Sequence, residues 1–460
     1  MFSDPKQVSS SETLLAGFSV LFNECLRVRP DDSILVIFDE AFRSFLDPLV
    51  SFFNSGRLQA SFMAIPKAYQ RALVAWSGGD EYEITLPRGI VSACRDSSIV
   101  VNCLDGDLDL TRLRGAILHT FRANECRFAH VPGISEEVLA VLTSSPIEQI
   151  VRSAENVAWV LGEAQRAELI SSDPNGQVCR LTMELDGWDN EPMMSPGVIY
   201  PNSWGNVPPG EVFCCPDHER VSGTVCITGS IPGRKLGAED ATIVEFEKGR
   251  LVRWLPQSSV VGHFLRDQMA LAAQRQDENW NVFAELGVGL NPAVKELTGN
   301  ELLDEKALGT VHVAIGNNKS FGHKVKSYIH ADMLIVKPTL LFDGFALVDE
   351  GVLRLEDIET RRRRSIEPLS LPPQTRIHFK LAKLEYESRG ALRRLVSAGR
   401  LGYVPIIELA SDRWLEDVIH EIREESPPTY SQLQAWVSNE RLDYVLAVLH
   451  HYRILTGGAS

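Results

Sequence analysis

Residues 304–338 read "DEKALGTVHVAIGNNKSFGHKVKSYIHADMLIVKP" and contain two short apolar runs that carry polar side chains. The first run, "GTVHVAIG", places His312 in a pattern typical of a β-strand. In the second, "YIHADMLIV", His330 and Asp332 stand two positions apart, so on a strand both side chains leave the same face. The stretch therefore predicts two strands whose polar groups are either hydrogen-bonded core residues or part of a metal site.

The sequence upstream of this stretch is also rich in β-strand patterns. Segments such as "QVCRLTMEL", "GTVCITGSI" and "ATIVEFEKGRLVRWL" are separated by Gly, Pro and Asn turns, and one helix is expected around 264–274. We therefore expect a mixed-sheet α+β domain, carrying the metal-ligand candidates, over residues 151–356.

The first part of the chain alternates helix and strand signals. Ser9 stands at capping-box spacing from Glu12, before an amphipathic helical pattern. Continuous apolar runs typical of strands covered on both faces follow at 33–38, 60–65, 98–104 and 126–131. This alternation predicts βαβ units and an N-terminal α/β domain with a parallel sheet over residues 1–150.

The last part of the chain differs from both. Four consecutive arginines and three prolines indicate a linker over residues 357–375. Beyond it, apolar residues recur at helical spacing between Trp414 and Ile422, and Thr429 and Ser438 are candidate helix caps. We expect a small, mostly helical or winged-helix-like module over residues 376–460, which is better suited to contact with a partner protein than with DNA.

Composition limits the class of function. The chain has 460 residues and a formal net charge of −15, which argues against general nucleic-acid binding because phosphate contacts need clustered Lys and Arg. No apolar run reaches the roughly 18 to 20 residues that span a bilayer. The N-terminal stretch lacks the pattern of a signal peptide, and the eight cysteines form no C-x-x-C pair. These features predict a cytoplasmic protein with reduced cysteines.

Two glutamates complete the set of metal-ligand candidates. Glu211 follows the rigid turn Pro208–Pro209–Gly210 and is either a ligand or a cap for nearby amides. Glu285 lies in an apolar, Gly-rich run, where a buried carboxylate needs an Arg, backbone amides or a metal as its partner. Together with the two histidines and the aspartate, they fit a site for one or two ions of Zn, Co, Mn or Fe.

Four motifs carry a resemblance to a known family. "NVPPGEVFCCP", "AELGVGLNP", "LTGNELLDEKALGTVHVAIGNN" and "IHADM" occur in the order found in the thermophilic metallo-aminopeptidases of the aminopeptidase T and S type, including those labelled leucyl aminopeptidases. The resemblance implies a cytoplasmic homodimer that removes N-terminal residues from peptides through a metal-activated water. It implies two divalent ions, Zn or Co, with Mn and Fe as alternatives. The implied ligands are Glu211, Glu285, His312, His330 and Asp332.

The resemblance has departures near the site. The family carries a tyrosine seven residues after the first histidine, where this chain has Lys319, and a Gly-Gly pair where it has Gly322 and His323. Lys319 and His323 either replace the lost catalytic contacts or face solvent. Glu211 is a ligand by the resemblance, with a general base as its alternative role.

Two other functions stay open at this point. A ring-opening dioxygenase that acts on dihydroxypyridines resembles the same scaffold, but holds a single iron and has a histidine where Glu285 stands. The scaffold could thus serve oxidation or modification of a small molecule or peptide. The third interpretation is a non-catalytic protein that binds a partner through its C-terminal module.

Overall fold

A computed structural model gives the fold of most of the chain. The residues that it describes are 10–76, 84–106, 110–118, 120, 126–186, 192–201, 203–319, 323–358, 371–379, 384–389, 392–398, 403–410, 428–436, 442–443, 446–447 and 455–456.

Helices and strands are numbered along the chain. The helices are α1 Ser10–Ser19, α2 Leu46–Gly56, α3 Lys67–Trp76, α4 Arg88–Arg95, α5 Thr111–Leu118, α6 Glu136–Ser144, α7 Ile147–Glu163, α8 Val260–Arg275, α9 Glu301–Asp304 and α10 Tyr430–Trp436. The strands are β1 Ile34–Phe38, β2 Ala60–Ala64, β3 Ile99–Cys103, β4 Arg127–His130, β5 Arg166–Ser172, β6 Val178–Glu184, β7 Met193–Ser195, β8 Ser203–Asn206, β9 Glu211–Cys214, β10 Val221–Ile227, β11 Ser230–Ile231, β12 Arg234–Lys235, β13 Thr242–Glu247, β14 Arg250–Leu255, β15 Phe283–Gly289, β16 Val311–Gly316, β17 His330–Ile335, β18 Thr339–Phe342, β19 Phe345–Asp349, β20 Val352–Leu353, β21 His378–Phe379, β22 Leu384–Arg389, β23 Leu392–Ala398, β24 Tyr403–Ala410 and β25 Leu455–Thr456.

The N-terminal unit contains a five-stranded parallel sheet in the order β2-β1-β3-β4-β8. One face of the sheet packs against α1, α2 and α6, and the other against α3, α4 and α5. Coverage on both faces explains why β1 and β3 are almost entirely apolar. The predicted α/β class and parallel sheet are confirmed, and α1 begins at Ser10, while Ser9 lies outside the described residues.

The parallel sheet includes a strand from far along the chain. β8 pairs with β4, so the chain returns to the first sheet after it has formed β5, β6 and β7 elsewhere. Helix α7 links the two units, because Ile147 and Val151 pack in the N-terminal core while Ala154 and the residues after it pack in the next one. The domain limits at 150, 356 and 375 stay predictions.

The second unit contains two large antiparallel sheets that share one apolar core with α7 and α8. Their strand orders are β14-β13-β10-β6-β5-β18-β19-β20 and β17-β16-β15-β9-β7. We expected mixed sheets, but every pairing described within these two sheets is antiparallel. Short turns such as those of β5–β6 and β18–β19 favour this pairing, since parallel neighbours need long crossovers. The helix expected around 264–274 is α8.

The C-terminal module contains both helix and strand. Helix α10 starts directly after Thr429, the predicted cap, whose Oγ1 accepts a hydrogen bond from the Gln432 amide over 3.4 Å. The predicted helix at 414–422 and the predicted cap Ser438 lie outside the described residues. Three antiparallel strands, β22, β23 and β24, precede α10 and were not predicted. Among the described helices of the whole chain, none has the length and apolar composition of a membrane span.

Candidate metal centre

The five-stranded antiparallel sheet carries all five residues proposed as metal ligands. Glu211 opens β9, Glu285 lies in β15, His312 lies in β16, and His330 and Asp332 lie in β17. The strand register aligns them on one face, since side chains of directly paired residues and of residues two apart point the same way. The predicted common face of His330 and Asp332 is therefore shared by three further candidates from separate parts of the sequence.

The opposite face of the same sheet is apolar. Alternate residues of its strands belong to the large core that both sheets of the second unit share. They include Val212, Leu286, Val313, Ala331 and Met333. This core fixes the register, because a shift by one residue would turn the charged side chains into it. Folding of the sheet thus brings the polar set together.

Small residues make room for the five ligand candidates on this face of the sheet. Each of the five stands directly opposite a Gly or Ala of a neighbouring strand. The pairs are Glu211–Gly289, Glu285–Ala314, His312–Gly287, His330–Gly316 and Asp332–Ala314. At Gly287 the fit is closest, because a Cβ there would lie 2.0 Å from Nε2 of His312. The imidazole lies over the bare backbone, so a larger residue at this position would have to displace the ring.

The polar atoms approach one another closely. His312 Nε2 lies 3.2 Å from Glu285 Oε1, His330 Nε2 lies 3.5 Å from Glu285 Oε2, and the same nitrogen lies 3.7 Å from Asp332 Oδ1. Two groups have ligand atoms within 4.8 Å of one another, and they are Glu211–Glu285–His312 and Glu285–His330–Asp332. Glu285 belongs to both groups and offers one oxygen to each side.

Three side-chain atoms of the ligand candidates have no hydrogen-bond partner among the described residues. They are Glu285 Oε2, His312 Nδ1 and Asp332 Oδ1, all of them buried. Buried polar atoms in proteins nearly always have a partner, so three orphaned atoms in one cluster need an explanation. A mixed set of carboxylate oxygens and imidazole nitrogens is suited to Zn, Co, Mn or Fe. The residues therefore fit a site for divalent metal ions.

The fold also orients one imidazole. His330 Nδ1 lies 2.8 Å from the backbone carbonyl of Asn317, which can only accept a hydrogen bond. The proton is therefore assigned to Nδ1, and Nε2 keeps its lone pair on the side of Glu285 and Asp332. This arrangement is common for metal-binding histidines, whose second nitrogen is held by a backbone or carboxylate acceptor.

Burial and mutual repulsion affect the carboxyl groups. Burial raises the pKa of Glu285 to about 8, while His330 opposes this shift and Glu211 adds to it. Burial raises the pKa of Asp332 to about 7, opposed by His312 and increased by Glu285. Without a bound cation the cluster disfavours its own ionised form, and a divalent ion would relieve that cost.

Sequence reasoning missed a buried lysine of the centre. Lys306 is fully buried, and its Nζ donates to Glu211 Oε1 over 2.6 Å and to Glu305. Burial acts to lower the pKa of Lys306, but Glu211 and Glu305 outweigh it and raise the pKa above its usual value. The run "NELLDEK" resembles a solvated helix end, since alternating charges are mostly exposed. The apolar flanks of Lys306, in "LLDEKAL", were the available signal of burial.

The two proposed loop residues lie outside the strands that carry this cluster. Lys319 is exposed and His323 is half-buried, in the loop that joins β16 to β17. Within the part of the chain that the structure describes, neither belongs to the two groups of ligand atoms. Their backbone amides are held by Val325 and Asn318, at 3.0 and 3.2 Å. The described parts of the loop on either side of 320–322 are thus hydrogen-bonded to each other.

The region that contains the ligand candidates resembles a known protein family. Residues 148–343 match the model of the thermophilic metalloproteases (M29). This region is therefore similar to that family. The matched M29 region contains all five ligand candidates and Lys306, and the resemblance expected from the sequence motifs is confirmed. No curated protein sequence matches the chain.

Solved structures share the fold. The chain is similar to 2,5-dihydroxypyridine dioxygenase from Pseudomonas putida KT2440, with 18% sequence identity and a TM-score of 0.57, over 75% of this chain and 98% of the other. It is also similar to wild-type AmpT from Thermus thermophilus, with 16% identity and a TM-score of 0.52, over 75% of this chain and 100% of the other. Identities this low establish a common fold alone. The M29 match adds a metal-dependent peptidase scaffold, which implies a divalent metal.

Proposed function

We propose that the protein is a metal-dependent aminopeptidase-like hydrolase that removes N-terminal residues from peptides. The observation that carries this proposal is the buried polar face of the five-stranded sheet, where five ligand-type side chains converge and three of their atoms have no partner among the described residues. The M29 match over the same residues supports the reaction class.

We assign the five side chains as ligands of two divalent ions, with Zn or Co as the first choice and Mn or Fe as alternatives. Glu211 and His312 lie on one side of Glu285, and His330 and Asp332 on the other. Shared use of a central carboxylate suits a pair of ions. When bound, such ions supply a water of lowered pKa and stabilise negative charge that develops on a carbonyl oxygen.

The surroundings favour Glu211 as a ligand over its alternative role as general base. Its Oε1 accepts a hydrogen bond from the Lys306 ammonium, and its carboxylate also belongs to the group of ligand atoms that includes Glu285 and His312. Among the described residues, Glu285 Oε2 and Asp332 Oδ1 have no hydrogen-bond partner, and both lie near the His330 imidazole. They are therefore placed to orient a cation or a water bound between the two groups.

The β16–β17 loop is proposed to contact the substrate. It starts at Gly316, the residue paired with His330, and ends at His330 itself, so both ends of the loop adjoin the ligand set. Lys319 and His323 are the candidates for contacts that the family's tyrosine makes. The homodimer, the cytoplasmic location and a docking role for the C-terminal module stay predictions.

Elemental analysis and a peptidase assay test the proposal together. The purified protein would be dialysed against Zn²⁺, Co²⁺, Mn²⁺ or Fe²⁺ and assayed with leucine p-nitroanilide. We expect two ions per chain and cleavage, both reduced in Glu285→Gln. Glu247→Gln is a matched control, because Glu247 is exposed on β13 of the other large sheet.

Other outcomes would contradict this function in distinguishable ways. One tightly held iron per chain, with oxygen consumption and no peptidase activity, would favour an oxidation reaction on the fold shared with the dioxygenase. Absence of metal binding under every condition would favour the non-catalytic binding protein.

A further inference from the structure

Lys306 is a buried cation at the edge of the proposed metal centre. Its side chain has no exposed surface, and its ammonium contacts two carboxylates, Glu211 and Glu305. Glu211 is itself buried, with 3% of its side chain exposed. Such a contact between charges inside a protein is strong when both partners are held in place, and costly when one is lost.

The backbone holds both ends of the Lys306–Glu211 contact. Asn291 donates its backbone N–H to the Lys306 carbonyl over 2.7 Å, and its side-chain amide donates to the Pro209 carbonyl over 2.8 Å. Pro209 and Gly210 form the turn that leads into Glu211, and the Gly210 carbonyl accepts from Leu290 over 2.7 Å. The two charged side chains therefore start from backbone positions that are tied together.

The Lys306–Glu211 contact uses one of the two carboxylate oxygens of Glu211. Lys306 Nζ binds Oε1 at 2.6 Å, while Glu211 also offers a ligand atom to the group that it forms with Glu285 and His312. Glu305, the second partner of Lys306, accepts a hydrogen bond from the same ammonium. The pair can thus orient Glu211 without adding a net positive charge that would repel a metal ion.

Fold stability alone does not account for a charge pair at this place. Removing two charges from water costs several kcal/mol per ion, and apolar residues of similar volume often serve stability equally well or better. The pair lies beside the orphaned polar atoms of the site and not in the apolar core on the other face of the sheet. Its location indicates that the charge pair affects metal binding.

We propose that Lys306 is a positioning residue of the metal centre, whose ammonium fixes Oε1 of Glu211 so that a single oxygen is presented to a divalent cation. This inference rests on the metal-binding part of the proposed function, but not on peptide cleavage. It assigns to Lys306 the task that backbone carbonyls and carboxylates perform for metal-binding histidines.

Binding of Co²⁺ tests this role without an activity assay. Lys306→Met removes the charge at similar length, and we expect Co²⁺ affinity to fall about 10- to 100-fold, as for other residues that orient a ligand. The visible absorption of bound Co²⁺ should change with it, since a freed Glu211 can bind through both oxygens. Lys306→Arg keeps a donor for Glu211 and should recover part of the affinity. Lys295→Met, at an exposed lysine, is the control.

A second variant covers the case in which Lys306→Met does not fold. The double substitution Lys306→Met and Glu305→Gln removes a charge of each sign, and the same loss of affinity is expected from it. Wild-type affinity and an unchanged Co²⁺ spectrum in the folded variants would overturn the role of Lys306, as would tighter binding.

The experiments distinguish failure of the peptidase function from failure of the positioning role of Lys306. If the wild type binds Co²⁺ but does not cleave peptides, the peptidase function falls while the effect of Lys306→Met still decides the positioning role. If the wild type cleaves and Lys306→Met binds Co²⁺ normally, the positioning role alone is wrong. If the wild type binds no metal, both are wrong.

Discussion

The N-terminal parallel sheet and the five-stranded antiparallel sheet are both buried on two faces, but different side chains fill those faces. In the parallel sheet, helices cover each side, and the residues of β1 and β3 are apolar almost without interruption. In the antiparallel sheet, one face is equally apolar, whereas the other collects three carboxylates and two imidazoles.

This difference shows what a buried polar face requires. The parallel sheet is filled by large side chains, as close packing demands. The polar face instead pairs each ligand candidate with Gly or Ala, and Lys306 adds a cation from outside the sheet. Substitutions in the parallel sheet should therefore change folding stability alone, and substitutions on the polar face should change metal binding.

The largest effect on stability is expected in the parallel sheet. Phe128 on β4 is fully buried among apolar neighbours, and Phe128→Ala should destabilise the protein by about 3–5 kcal/mol through lost contacts and a cavity. Denaturant unfolding at constant metal concentration measures this. Loss of metal from the folded variant would contradict the expectation that substitutions in the parallel sheet change folding stability alone.

Metal binding should stabilise the antiparallel sheet by a smaller amount. At a concentration 100 times the Kd, a ligand of the native state alone adds about 2.7 kcal/mol. Glu285→Gln should lose this gain, because Glu285 belongs to both ligand groups. Unfolding curves with and without Co²⁺ would be compared with those of Glu247→Gln. An equal Co²⁺ effect in both variants would show that the cluster does not hold the ion.

Gly287 tests the requirement for a small residue on the polar face. In Gly287→Ala the new Cβ would lie 2.0 Å from the His312 imidazole, so the ring must move. We expect a cost of about 1–3 kcal/mol from overpacking and a weaker response to Co²⁺. A wild-type Co²⁺ titration for this variant would mean that His312 is not a ligand.

The smallest effect is expected at a glycine with free space. Gly115 lies in α5 of the N-terminal unit, and a Cβ added to it would meet nothing within 4 Å. Gly115→Ala should stabilise the protein by up to about 1 kcal/mol, since alanine is the better helix former. Denaturant unfolding checks the sign, and destabilisation there would show that the small residues of the two units are under similar constraints.

Local periodicity was sufficient to predict many strands of the first two units and the shared face of His330 and Asp332. Periodicity cannot show which separate strands become neighbours, so the convergence of Glu211, Glu285 and His312 followed from the family resemblance. Lys306 was missed because its ion pair with Glu211 joins residues 95 positions apart. A lysine in an acidic segment has the pattern of a solvated residue, and only the folded chain shows that it is enclosed.

Local sequence patterns also did not predict the strands of the C-terminal module. "YVPIIELA", which forms β24, contains Pro405, a residue that argues against a central strand. The structure resolves this conflict, because β24 is an edge strand of its sheet and Pro405 lies at a shift in its register with β23. Proline is tolerated at such places, where no ladder hydrogen bond from its nitrogen is needed.

The return of the chain to its first sheet at β8 has a consequence for synthesis on the ribosome. Strand β4 is complete at His130, but its second neighbour, Ser203–Asn206, emerges only after α7 and β5–β7. Until then the nascent chain carries an unpaired strand edge, which is a site for wrong pairing. The N-terminal sheet therefore cannot be completed before part of the second unit has been synthesised, which links the folding of the two units.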